Sequence, residues 1–243
     1  MKYLIVSDIH GSKDSCEFIY NEFKNGKYDK ILCLGDVLYH GPRNDLPENY
    51  NPKGCIEILN KLKEDIICVK GNCDAEVDQM VLSFEILDSY DFEIDEHLIH
   101  LEHGHHLDEY CGQARLIMSG HTHIPVLNKE ANCVYLNPGS ITIPKGGYKR
   151  SFAILDDENL KVLDLDRNVI FEMEKRDIWV CKGVYDLKLH AEERGEKRGE
   201  ERGMEKATKS NIISLYNNGA SIDLLVKSFN MSEEEIRKII ASK

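Results

Sequence analysis

No stretch of this 243-residue chain approaches the roughly 20 apolar residues that span a bilayer, so an integral membrane protein is not expected. The opening run, Met1-Lys2-Tyr3-Leu4-Ile5-Val6, lacks a small-residue cleavage site and leads straight into charged residues; no export signal is read there. The eight cysteines contain no Cys-x-x-Cys pair, which removes the usual structural-zinc and thioredoxin-like signatures. Free thiols in a reducing cytoplasm are expected instead, with Cys33 and Cys68 as small buried residues inside apolar runs. A basic excess is also missing. The net charge is −12, and residues 183–243 carry 11 charges of each sign, so the whole imbalance lies in the first 182 residues. Such a body repels a polyanion, so nucleic acid is not the expected partner, whereas divalent cations are compatible with it. At 42% hydrophobic and 30% charged, the composition is that of an ordinary globular protein.

What is present begins with alternating strand and helix signals. Lys2–Ser7, Lys30–Leu34 and Ile66–Val69 are short apolar runs; helical spacing covers Asp14 to Lys24 and Gly54–Glu64 between them. That order predicts parallel strands with crossover helices, whose functional side chains gather at the carboxyl ends of the strands. From about Tyr90 the period shortens. Phe92–Ile94, His97–Leu101, Arg115–Ser119, Val126–Asn128, Val134–Leu136, Phe152–Leu155, Val162–Leu165 and Val169–Met173 are expected strands, interrupted by one helix-like stretch, Leu107–Ala114. The expected fold class is α/β, two packed mixed sheets with helices outside, over residues 1–178.

Five segments carry the chemistry: Asp8-Ile9-His10, Gly35-Asp36, Gly71-Asn72-Cys73-Asp74, His103-Gly104-His105 and Gly120-His121-Thr122-His123. Singly, each is weak; Gly-Asp is usually just a turn. Seven of the ten histidines, however, fall between His97 and His123. Carboxylate, amide oxygen and imidazole are ligands for manganese, iron or zinc.

In this order, the segments resemble the calcineurin-like metallophosphoesterases and, within them, the small bacterial YfcE-type phosphodiesterases. The resemblance covers residues 1 to about 170. It includes Ser7-Asp8-Ile9-His10-Gly11-Ser12, Leu34-Gly35-Asp36-Val37-Leu38, His40-Gly41-Pro42-Arg43-Asn44, Asn137-Pro138-Gly139-Ser140 and Ile143-Pro144-Lys145-Gly146-Gly147. It implies a four-layer α/β/β/α sandwich and two divalent ions. Asp8, His10, Asp36 and His123 would hold one; Asp36, Asn72, His103 and His121 would hold the other, with Asp36 bridging. Manganese is the expected metal, with iron, zinc or nickel as alternatives. Asp36, Asn72 and His105 are the expected catalytic residues, although His105 fits a loop position behind the ligands equally well. His40, Arg43 and Cys73 are expected to contact substrate. Cys73 departs from the many relatives that carry histidine there, a change the YfcE-type branch shares.

Residues 179–243 lie outside the resemblance. Arg194-Gly195-Glu196-Lys197, Arg198-Gly199-Glu200-Glu201 and Arg202-Gly203-Met204-Glu205 repeat with period four. They predict a charged helical linker over 179–208, followed by short amphipathic helices in a small α-helical extension, 209–243. Oligomerisation of like chains, or docking of a partner, through this tail is the leading expectation, ahead of an inert accessory fold or nucleic-acid contact. The expected function is metal-dependent hydrolysis of a small phosphodiester. Alternatives are a phosphomonoesterase, or a scaffold of this fold that binds a protein partner, as the retromer subunit of this fold does.

Overall fold

The computed structural model describes residues 1–107, 110, 112–180 and the single positions 222, 232 and 238. The chain divides between Cys181 and Lys182 into two units. The first is described here; the linker and terminal helices expected beyond Val180 lie outside the described residues apart from those single positions. Among the described residues, no helix is long and apolar enough to cross a membrane.

The chain opens with β1 (Tyr3–Val6), whose four residues are all buried. Alternation then sends Leu4 and Val6 to one face, and Tyr3 and Ile5 to the other. Helix α1 (Lys13–Gly26) follows. It buries Ser15, Cys16, Ile19, Glu22 and Phe23, the stripe that helical periodicity predicts, and ends at Lys27 in the left-handed conformation. Strand β2 (Lys30–Cys33) lies parallel to β1. Helix α2 (Pro52–Leu59) starts with proline in its first turn, and the Asn51 side chain accepts from the Gly54 N–H at 3.0 Å. A 3-10 turn (Asn60–Leu62) completes the expected helix. Strand β3 (Ile66–Val69), the short α3 (Glu76–Gln79) and the two-residue β4 (Ile86–Leu87) follow.

The shorter-period half supplies β5 (Tyr90–Ile94), β6 (His97–Leu101), β7 (Leu116–Met118), β8 (Val126–Glu130), β9 (Cys133–Asn137), β10 (Ser151–Leu155), β11 (Asn159–Asp164), β12 (Val169–Glu174) and α4 (Lys175–Trp179). These strands form two mixed sheets. The first has seven strands in the order β12-β11-β10-β1-β2-β3-β4, and the second has five in the order β5-β6-β7-β9-β8. Strands β1 to β4 run parallel, and so do β6, β7 and β9; the outer pairings are antiparallel. Residues 112–114, expected to close a helix, are not helical; Gly112 breaks the spacing.

Two apolar layers hold this together. Leu4, Val6, Ile31 and Cys33 pack with Cys16, Ile19, Cys55 and Leu59 from the helices. Tyr3, Ile5, Leu32, Leu34 and Val69 meet Ile99, Leu101, Leu116, Met118, Val134 and Leu136 between the sheets. Each fully buried aliphatic side chain contributes about 1.5–3 kcal/mol. The central strands therefore end in rigid material, and the loops leaving their carboxyl ends start from fixed positions.

Candidate metal centre

Five strand ends feed one rim. Asp8 follows β1, Asp36 follows β2, Asn72 follows β3, His103 follows β6, and His121 and His123 follow β7. The first three come from one sheet and the histidines from the other, so the site straddles the gap between layers. Asp36 Oδ2 lies 3.6 Å from His10 Nε2 and 3.4 Å from His103 Nε2. Asp8 Oδ1 lies 3.3 Å from His123 Nε2 and 3.7 Å from His10 Nε2. Asn72 Oδ1 is 3.2 Å from His103 Nε2 and 2.6 Å from His121 Nδ1. All seven residues nominated as ligands therefore meet, and all but Asn72 and His121 are buried.

Protons decide what such a cluster can bind. The Nδ1 atoms of His10, His103 and His123 face the backbone carbonyls of Tyr39, Leu34 and Ile143 at 2.8, 2.6 and 2.7 Å. A carbonyl only accepts, so each Nδ1 carries the hydrogen. In neutral His10 and His123, the Nε2 lone pairs then face each other at 3.2 Å, beside a carboxylate. Both Asp8 carboxylate oxygens are buried without a hydrogen-bond donor. Lone pairs and anions converging without donors form a cage for a cation, so these residues fit divalent metal ions.

Protonation directions agree. Burial lowers His10 and pulls His123 down to about 4, leaving both neutral. Burial pushes Asp8 up to about 7. For His103, burial acts downward, but the hydrogen bond its Nε2–H donates to Asp36 and the charges of Asp8 and Asp36 lift it to about 9. For Asp36, burial acts upward; contact with His103 and the Cys73 N–H outweighs it and holds the carboxyl below the usual range.

A family model described as the calcineurin-like phosphoesterase superfamily domain matches residues 1–160. The chain belongs to this superfamily. Phosphodiesterase YfcE of Escherichia coli K12 is 39% identical to this phosphoesterase over 179 residues, covering 71% of the chain and 97% of the relative. The solved structure of that relative matches with a TM-score of 0.69, over 71% of this chain and 98% of its own. A conserved uncharacterised protein of Streptococcus pneumoniae matches at 0.50 with 25% identity, covering 72% of this chain and 97% of that one. Vacuolar protein sorting 29 of Cryptosporidium parvum matches at 0.51 with 19% identity, over 72% of this chain and 98% of that one; this likeness concerns the fold alone.

In this phosphoesterase, the backbone at the site is unusual. Asp8, His10, Asp36, His121 and His123 all have φ between 49° and 67°. The left-handed region costs a non-glycine residue about 1 kcal/mol or more, so the rim stores several kcal/mol that the packed sheets must hold. Close approach explains two glycines. A Cβ on Gly71 would lie 2.0 Å from Asp36 Oδ1, and one on Gly120 would lie 1.8 Å from Ser7 Oγ.

Asp74 is the residue that motif reading left without a role. Its buried carboxylate accepts from Asp36 N at 2.8 Å, Val37 N at 2.7 Å and Gly71 N at 2.8 Å, tying the loop after β2 to the loop after β3. The available signal was an aspartate two residues past Gly-Asn, a place where short acidic side chains cap backbone N–H groups. Asn137 does the same for the Gly120–His123 loop, donating to Gly120 O at 2.6 Å and accepting from Gly139 N at 2.9 Å.

The residues expected to touch substrate separate. Arg43 and Cys73 line a small cleft with Asp36, Asn44, Asn72, His121, His123 and Lys145. Burial and the Asp36 charge push the Cys73 thiol up to about 12, so it stays protonated. His40 is not among the residues lining that cleft. Its ring packs edge-on against Tyr39 and Tyr50, with centroids at 4.8 and 5.3 Å. His105 sits behind the ligands, its ring centroid 5.6 Å from that of His103 and 6.1 Å from that of His121, on a second cleft with Lys70, Asp88 and His106. A larger cavity of about 700 Å³ lies at the amino ends of β6, β7 and β9, away from this chemistry.

Proposed function

We propose that this phosphoesterase hydrolyses a small phosphodiester, using two divalent cations bridged by Asp36. The carrying observation is that seven ligand-type side chains meet in one chain of contacts, with Asp8, Asp36, His10, His103 and His123 clustered and Asn72 joining His103 to His121. Asp8, His10, Asp36 and His123 would hold one ion; Asp36, Asn72, His103 and His121 would hold the other. When bound, a pair of such ions neutralises phosphoryl charge and makes hydroxide available near neutral pH. The chain's own residues do the rest. Asp36 is held ionised and aimed by Asp74 and the Cys73 N–H, which fixes where the two ligand sets meet. Arg43 pairs with a phosphate oxygen, and His105, once it has taken up a proton, would give that proton to the departing oxygen. Cys73 fills space at the substrate without acting as an acid. Two clefts share Asn72, which leaves room for an ester arm on either side of the phosphorus. This favours a diester over a monoester, as does the name of the Escherichia coli relative. Manganese suits the mix of carboxylate, amide and imidazole. A cytoplasmic setting and self-association through residues 183–243 belong to the same reading.

The test is hydrolysis of bis-p-nitrophenyl phosphate and of p-nitrophenyl phosphate by chelator-treated protein, alone and with manganese, iron, zinc or nickel. The diester should turn over only with metal and well ahead of the monoester. Asp36→Ala should lose both activity and metal stoichiometry, by at least about a thousandfold in rate. No turnover with any of the four metals would sink the enzymatic reading.

A further inference from the structure

Lys145 enters the cleft from a different loop than Arg43. Its backbone N–H donates to His123 O at 3.1 Å, so its position is fixed to that of a ligand residue. Tyr148 N closes a turn onto Lys145 O at 3.3 Å, and Gly146 and Gly147, at φ 65° and 77°, let that turn form. Arg43 is placed as firmly. Gly41, two residues before it, has φ 79° and Asn44 folds back, its side chain donating to His40 O at 2.8 Å and its N–H to Gly41 O at 3.4 Å. Both side chains are exposed, and among the described residues neither has a carboxylate partner within ion-pair distance. The cleft's one acidic side chain is Asp36, which is turned toward the histidines. Lys145 lines the same cleft as Asp36, Asn72, His121 and His123.

Charge counting sets the ligand class. Two divalent ions against Asp8 and Asp36 leave a positive centre, and Arg43 and Lys145 add two more positive charges. A simple diester brings a single negative charge. In a chain of net charge −12, a local excess of this kind attracts a small multiply charged anion while the surrounding surface turns away a long polyanion. We propose that the cleft takes a phosphodiester carrying a second anionic group on one arm, and that Lys145 receives that group while Arg43 holds the reacting phosphate. This rests on the phosphodiesterase reading above.

The test uses two chromogenic diesters that differ by one phosphate: thymidine 5′-(p-nitrophenyl phosphate) and its 3′-phosphorylated counterpart. With manganese-loaded full-length protein, kcat/KM should favour the 3′-phosphorylated ester about tenfold, and Lys145→Gln should bring that ratio toward one, mainly through KM. Calorimetric binding of thymidine 3′,5′-bisphosphate against thymidine 5′-monophosphate should show the same preference and the same loss in the variant. A ratio near one in wild type, or a ratio unmoved by Lys145→Gln, overturns the proposal, while Arg43→Gln should lower turnover of both esters alike. An equal loss on both esters in Lys145→Gln also overturns it, because Lys145 would then serve the reacting phosphate. Absent turnover with an intact binding preference would overturn the diesterase reading and leave this inference standing.

Discussion

Replacing Asp74 tests whether the metal centre is held from behind. Asp74→Ala orphans three buried backbone N–H groups, on Asp36, Val37 and Gly71. At about 1–3 kcal/mol for each unsatisfied donor, the gross loss is about 3–9 kcal/mol. Part is returned, because burial raises the Asp74 pKa despite those donors, so its charge is held at a cost. The expected net destabilisation is about 3–5 kcal/mol, a large share of the roughly 5–15 kcal/mol a domain has. Asp74→Asn keeps one acceptor oxygen where Oδ2 stands, retaining the bonds to Asp36 and Gly71 and placing an amide against Val37 N–H. It should cost about 1–2 kcal/mol. Turnover should fall further than stability suggests, since a shift of about 1 Å in Asp36 is worth about a hundredfold in rate. Urea unfolding of the metal-free proteins gives the stabilities, and diester hydrolysis with manganese gives the rates. If Asp74→Ala unfolds within 1 kcal/mol of wild type and keeps its rate within about threefold, the clamp is not what positions Asp36.

Metal affinity should rise with pH, because binding displaces protons. His103 must lose the proton it holds up to about 9, and Asp8 the one it holds up to about 7. Manganese titrations should show about tenfold per pH unit between 7 and 9 and a steeper slope below 7; a flat profile would refute the protonation picture. Gly120→Ala would drive a Cβ into Ser7 Oγ and to 2.9 Å from Asp8 Oδ2. It should cost about 1–3 kcal/mol, seen as a lower Tm, and weaken manganese binding in the same titration. Cys73→Ser should leave kcat/KM within about threefold and introduce no change in the pH–rate profile from 6 to 9, since the thiol does not titrate there.

Much of the first sheet was readable because its strands are buried on both faces. Continuous apolar runs such as Tyr3–Val6 and Ile31–Leu34 have few other uses. The ligand-type residues were readable because each follows such a run within five residues. Strand β4 was not, since two residues give no period, and α3 and α4 are too short to show one. Residues 112–114, where the helix expected from Leu107 would have closed, are not helical, and Gly112 disfavours it there. The left-handed ligand backbones left no mark in the sequence, because aspartate and histidine occur freely elsewhere. Asp74 and Lys145 were visible as letters in motifs; their roles depend on N–H directions and on a cleft that only folding creates.

Because Asp8, Asp36 and Asn72 leave one sheet and His103, His121 and His123 leave the other, any cation seated among them rivets the two layers. Its supply would then govern survival as well as catalysis. A free ion at about a thousand times its dissociation constant adds about 4 kcal/mol to the folded state. Without that increment the two layers would part, and be cut by proteases, more often, so metal shortage would shorten the protein's life as well as idle it.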